Sequence, residues 1–264
     1  MLDPNANFAW LADIEKDLAL VMRPKSKNQR IVDPDLIVEA GLTLVGEEDG
    51  SPMLTPLRRA RQVRDGVMIA LLALCPIRLK NFAARELQSS FRRVGPDWWI
   101  VLDRKETKSG RPDERRVPVD LDAALETYLL VHRPVLASAD HGEKDLRRCA
   151  DVSASSADLL ADIAGPLWLS SNTGRRMTYH GVERSISEST RLTLGVPISP
   201  HLFRTCAATS IYAHAGDNPH LASGVLQHVD RRVTEEHYNR ATSVSAARQY
   251  AQIVSGVAAT ISKP

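Results

Sequence analysis

The stretch from Thr55 to Pro76 constrains the fold of this chain more than any other. Thr55-Pro56 offers a side chain that caps a helix, followed by a proline suited to its first turn. Val63, Val67, Leu71 and Leu74 then recur at i, i+4, i+8 spacing, and Cys75-Pro76 stops the run. This predicts a long helix from Pro56 to the Cys75-Pro76 stop. A second, short helix is expected over Leu79 to Leu87. Asp97 to Leu102 and Arg115 to Val119 read as strands flanking a polar loop, Lys105 to Glu114. Helices resume with Leu121 to Val131, a surface loop is expected over Ala137 to Ser156, and helices alternate with short loops beyond it. The fold class is mainly α with a small antiparallel β-sheet.

Upstream, residues 8–22 read as an amphipathic helix and residues 23–35 as a charged, proline-bearing linker. Leu36 to Val45 is a short apolar stretch that ends in a turn-like Gly46-Glu-Glu-Asp-Gly50. Residues 1–54 are expected to form an N-terminal arm or linker, and residues 55–264 the main domain.

Hydrophobic residues make up 43% and charged residues 25% of the chain, which suits a globular protein rather than a disordered one. No apolar run approaches the roughly 20 residues that span a bilayer, and Met1-Leu2-Asp3-Pro4 carries neither the basic nor the apolar region of a signal peptide. Cys75, Cys149 and Cys206 are far apart and form no C-x-x-C pair, a pattern that suits a reducing cytoplasm and offers no disulfide framework. The net charge of +2 hides an asymmetry. Residues 1–54 hold 5 Lys/Arg against 10 Asp/Glu, whereas residues 55–116 hold 15 against 7. The second block, centred on Arg58, Arg59, Arg61 and Arg64, could neutralise a row of phosphates.

A set of basic residues and one tyrosine follows in a fixed order. Arg78 comes just after the helix stop, and Lys108 lies in the loop between the two strands, with Lys105 three residues before it. His201-Leu-Phe-Arg204 opens a helix after Pro200. His228 sits in Leu226-Gln-His, and Tyr238 in Thr234-Glu-Glu-His-Tyr-Asn-Arg-Ala241. The remaining histidines (132, 141, 180, 214, 220 and 237) show no metal-ligand spacing with acidic partners, so no metal site is expected.

In this order the residues resemble the tyrosine recombinase, or phage integrase, family over about residues 55 to 250. That family's pattern is an Arg after the first long helix, a Lys on a β-hairpin, H-x-x-R, a His or Trp, and a nucleophilic Tyr. Here Arg78, Lys108, His201, Arg204, His228 and Tyr238 fill it. Lys108 is preferred to Lys105 because Thr107-Lys108-Ser109-Gly110 places it at the turn. Gly165-Pro-Leu-Trp-Leu-Ser170 with Gly174, Ala207-Ala-Thr209 and Gly216-Asp-Asn-Pro resemble the text around the family's H-x-x-R. The chain departs from the pattern at Asn81, where an acidic residue is usual, at Thr205 for His, and at Gln227 for Gly.

The resemblance implies a DNA strand breaking and rejoining enzyme with double-stranded DNA as partner and no cofactor. Arg78 and Arg204 would clamp the phosphate, His201 would take the phenolic proton, Lys108 would give one to the leaving 5′ oxygen, and His228 would donate to the phosphate. Tyr238 would form a covalent 3′-phosphotyrosyl link. The resemblance further implies a homotetramer on paired DNA sites that is mostly monomeric when free, a C-terminal helix within residues 243–261 docking on a neighbour, and an upstream core-binding domain of which residues 1–54 would be a remnant. Two other readings remain: a type IB topoisomerase or telomere resolvase, disfavoured by the short spacing from His201 to Tyr238, and a non-catalytic DNA-binding protein that keeps the fold.

Overall fold

The computed structural model describes residues 9–21, 28–46, 55–107, 110–138, 156–214 and 221–226. Lys108, His228, Tyr238 and the terminal segment 243–261 therefore lie outside the described residues, as does most of the loop expected after Ala137. Helices α1 (Ala9–Val21) and α2 (Pro34–Gly46) precede the long predicted helix, α3 (Pro56–Leu74). Thr55 caps α3 as its sequence demands, its Oγ1 accepting from the backbone N–H of Arg58 at 3.3 Å. At the far end the N–H of Cys75 still reaches the carbonyl of Leu71 at 2.8 Å, and Pro76 ends the ladder.

The apolar stripe understates how deeply α3 is set. Every residue from Val63 to Ala73 is buried, so the helix is enclosed on all sides. One cover is α2, which approaches so closely that a Cβ on Gly66 would stand 2.5 Å from the carbonyl oxygen of Gly41. Two facing glycines let the helix backbones touch where any side chain would hold them apart. Residues 34–46, expected to belong to an arm, thus share the core of α3, with Ile37 buried in the common cluster.

The other described elements follow in order after α3. Helix α4 (Leu79–Ala83) is shorter than predicted, because Glu86–Leu87 turns into strand β1. Strands β2 (Phe91–Val94), β3 (Asp97–Leu102) and β4 (Asp113–Arg116) follow, and β5 (Gly165–Pro166) completes a sheet of order β4-β3-β2-β1-β5. The sheet is mixed rather than purely antiparallel, since β1 meets β2 in parallel through Leu87 and Phe91. Strand β4 starts two residues earlier than expected, because its register sets Asp113 opposite Leu102, and Pro118, lacking an N–H, marks where the ladder gives out. Trp98, Ile100 and Leu102 point inward at alternate positions of β3.

The predicted helix from Leu121 is α5 (Asp122–Thr127), a π-helical stretch Tyr128–His132, and α6 (Arg133–Ala137). Pro134 explains the widening, for it has no N–H to give to the carbonyl four residues back. After α7 (Ser156–Asp162), the Trp168 indole donates to the carbonyl of Phe82 at 3.0 Å and stacks obliquely on the Phe82 ring. That contact seats α4 on the core. Helices α8 (Tyr179–Leu194), α9 (Pro200–His214) and α10 (Leu221–Leu226) complete the described structure. None of the described helices is long and apolar enough to cross a membrane.

Candidate active site

The turn between α3 and α4 is rigid for local reasons. Pro76 fixes one backbone angle, the N–H of Ile77 reaches back to the carbonyl of Cys75 at 2.7 Å, and Ile77 is buried. Arg78 follows as the N-cap residue of α4 in an extended conformation. It is half-buried, and its guanidinium makes no hydrogen bond or ion pair among the described residues.

Arg204 reaches this turn from 128 residues away. It lies in the second turn of α9, one helical turn after His201, which is exposed. The Arg204 side chain is 4% exposed. One terminal nitrogen donates to the carbonyl of Pro76 at 2.6 Å, and the other to the carbonyl of Leu226, the last residue of α10, at 2.6 Å. Its planar fork therefore pins together three segments: the turn bearing Arg78, the helix bearing His201, and the end of α10 at Leu226. Burial of a guanidinium on carbonyls is costly unless its donors are satisfied, and those two short bonds fix its orientation.

The β3–β4 hairpin is tied to the same place. Asn81, three residues after Arg78, donates its amide N–H to the backbone carbonyl of Glu106 at 3.1 Å. An ionised carboxylate at this position could not donate that bond, which gives the departure at Asn81 a structural use. Lys105 is exposed on the hairpin loop, and Gly110 takes the positive φ of 65° that its turn requires.

The four arginines of α3 do not form one row. Arg58 is exposed, and Arg61 is half exposed and faces Asp65 and Glu188 at 3.8 Å each. Arg59 instead donates to the carbonyls of Leu44 at 3.0 Å and Val45 at 2.6 Å, closing the C-terminus of α2. Arg64 is 1% exposed, bound to Asp65 at 2.7 Å, to the carbonyl of Leu169 at 2.7 Å and to the Ser185 hydroxyl at 3.3 Å. Of the four expected to face phosphates, Arg58 and Arg61 keep exposed side chains, whereas the forks of Arg59 and Arg64 are turned onto the protein's own carbonyls and carboxylate.

Other nucleophiles near the turn are quenched. Burial pushes the thiols of Cys75 and Cys206 up to about 11, so neither is a thiolate at neutral pH. Burial likewise raises the Tyr128 hydroxyl, which donates to the carbonyl of Leu167 at 2.7 Å.

No protein-family model and no curated protein matches this chain by sequence. Its structure is similar to that of the XerH site-specific recombinase bound to difH substrate, in a pre-cleavage complex, with a TM-score of 0.50 and 12% identity. The match covers 79% of this chain and 50% of that one. A post-cleavage complex of XerH with a palindromic difH substrate gives a TM-score of 0.49 at 12% identity, covering 82% and 53%. The chain thus spans about half the length of the recombinase chains it matches. It has the tyrosine recombinase catalytic-domain fold.

Proposed function

We propose that the chain is the catalytic domain of a site-specific DNA recombinase or integrase that cuts and rejoins strands through Tyr238. The observation that carries this reading is the fork of Arg204, which gathers the Arg78 turn, the His201 helix and the end of α10 around one buried cation. A phosphodiester repels nucleophiles and gathers further negative charge in its transition state. Arg78 supplies preorganised donors for its non-bridging oxygens, and Arg204, bonded to the carbonyls of Pro76 and Leu226, holds the Arg78 turn and adds its charge. Tyr238 Oη attacks phosphorus and gives its proton to His201, while the bond to the 5′ oxygen breaks and that oxygen takes a proton from Lys108. His228 donates to the phosphate. The phosphotyrosyl link keeps the bond energy, so the reverse attack by a 5′ hydroxyl reseals the strand without ATP. Double-stranded DNA is the partner, with four copies assembling on paired sites and monomers predominating in free solution. The test is incubation with a suicide duplex that loses its 5′ end after cleavage; a covalent protein–DNA adduct supports an enzyme, and tight binding with no adduct would leave a DNA-binding protein.

Arg78→Lys and Arg204→Lys are each expected to slow adduct formation about 10²–10³-fold, the cost of one preorganised donor in comparable sites, because lysine keeps the charge but loses the fork. Single-turnover cleavage measures it, and near-normal rates for Arg78→Lys would mean that the residue serves the turn alone. Salt dependence separates the α3 arginines. Neutralising Arg58 and Arg61 together is expected to flatten the slope of log affinity against log salt by up to about 1.8, if each meets one phosphate. Arg64→Ala is expected instead to lower the melting temperature, since it takes from the buried Asp65 its 2.7 Å ion pair and leaves the longer contact with Arg61. A steep slope that survives in the Arg58/Arg61 variant places the DNA on another face.

A further inference from the structure

We propose that Glu106, gripped by the buried Arg85, is a positioning residue that fixes the lysine-bearing hairpin loop against the helix that starts at Arg78; this rests on the reading of Lys108 as donor of the leaving-group proton. Arg85 is 1% exposed and lies in the turn between α4 and β1. Its guanidinium donates to the carbonyl of Asn81 at 2.6 Å, to the carbonyl of Val101 on β3 at 2.8 Å, and to Glu106 Oε1 at 2.5 Å. The other carboxylate oxygen of Glu106 accepts from the N–H of Asp103 at 2.9 Å. Its backbone carbonyl takes the amide of Asn81 at 3.1 Å, and its own N–H reaches the carbonyl of Asp103 at 2.9 Å. On the far side of the loop the Thr107 hydroxyl donates to the carbonyl of Arg111 at 2.6 Å. Glu106 is therefore held at every polar group it owns, two residues before Lys108.

The fold does not ask for this anchor. The ladder from Trp99–Arg116 to Leu102–Asp113 already sets the register of β3 and β4, and Trp98, Ile100 and Leu102 already bury the strand. What Glu106 adds is the placement of the chain beyond Leu102. A buried arginine needs its counter-charge, so Arg85 makes one loop geometry much cheaper than the others. Proton donation depends on such geometry, and a displacement of about 1 Å can cost up to ~10²-fold in rate.

The experiment uses the full chain and two suicide duplexes, one with the ordinary 5′-bridging oxygen and one with a 5′-bridging sulfur, whose thiolate leaves without needing a proton. Glu106→Gln alone leaves the buried Arg85 without its counter-charge, at a cost to stability, so Arg85→Leu/Glu106→Gln is made beside it to take out both charges. On the oxygen substrate both variants are expected to form adduct at least about tenfold more slowly, with DNA affinity retained and the sulfur substrate restoring the rate. Adding Lys108→Ala to the double variant is expected to cause little further loss. Equal losses on both substrates, losses that multiply with Lys108→Ala, or a double variant that does not fold would each overturn the inference. Lys108→Ala that sulfur does not rescue refutes the lysine reading and this inference with it; Lys108→Ala rescued beside Glu106 variants that are not overturns this inference alone.

Discussion

Tyr238→Phe is expected to reduce the covalent adduct on a suicide duplex to background while leaving duplex binding nearly intact. The substitution removes one oxygen and almost no surface, so it separates chemistry from recognition. Among the described residues, the two cysteines and Tyr128 offer no ready substitute: burial holds Cys75 and Cys206 at about 11, and the Tyr128 hydroxyl is spent on the carbonyl of Leu167. Mass spectrometry of the trapped wild-type complex should place the DNA on the peptide containing Tyr238. A label on Tyr212 or Tyr250 instead would overturn the assignment of the nucleophile.

Gly66→Val is expected to unfold the protein or lower its melting temperature drastically. A Cβ at Gly66 meets the Gly41 carbonyl oxygen at 2.5 Å and the Leu44 Cβ at 2.9 Å, and the nearest of these is backbone. No rotamer change relieves a clash with backbone, so α2 must move off α3. Gly66→Ala already inserts that Cβ; overpacking of about 1–3 kcal/mol or more is offset by at most about 1 kcal/mol of better helix propensity. Valine adds two methyl groups where Val45 Cγ2 stands 3.1 Å from the Cβ position. Against a total stability of roughly 5–15 kcal/mol, such a loss is decisive. Gly46→Ala is the control, since its Cβ meets nothing within 4 Å. Thermal melts of the three variants measure this, and a Gly66→Val protein that melts like wild type would mean that the two helices do not touch as described.

The helix boundaries that carry Arg78, His201 and Arg204 were legible because their signals are local. The Thr55-Pro56 start and Cys75-Pro76 stop of α3 depend on one side-chain oxygen and two missing N–H groups, and the structure places both ends there. Pro200 likewise begins α9, so His201 and Arg204 fall one turn apart as their spacing implied. Arg85 and Glu106 escaped the sequence reading. An arginine in a turn and a glutamate in a hairpin loop look solvated, and the one available hint was that Asn81 stood where an acidic residue was expected.

The sequence by itself determined the long central helix, the hairpin, the helix opened by Pro200 and the order of the basic residues, because each follows from chemistry within a turn or two of chain. Only the tertiary structure decided which basic residues face inward. Arg58, Arg59, Arg61 and Arg64 lie within seven positions and read alike, yet Arg58 meets solvent, Arg59 closes α2 and Arg64 is buried against Asp65. What covers each face of α3 comes from α2, α8 and the segment at Leu169, none of them within the local turns that the arginines share, and a guanidinium turns toward whichever carbonyls or water those neighbours leave it. The joining of Arg204 to Pro76 and Leu226 has the same origin. Both of these acceptors are backbone carbonyls, which every residue carries, so no side-chain pattern could announce them.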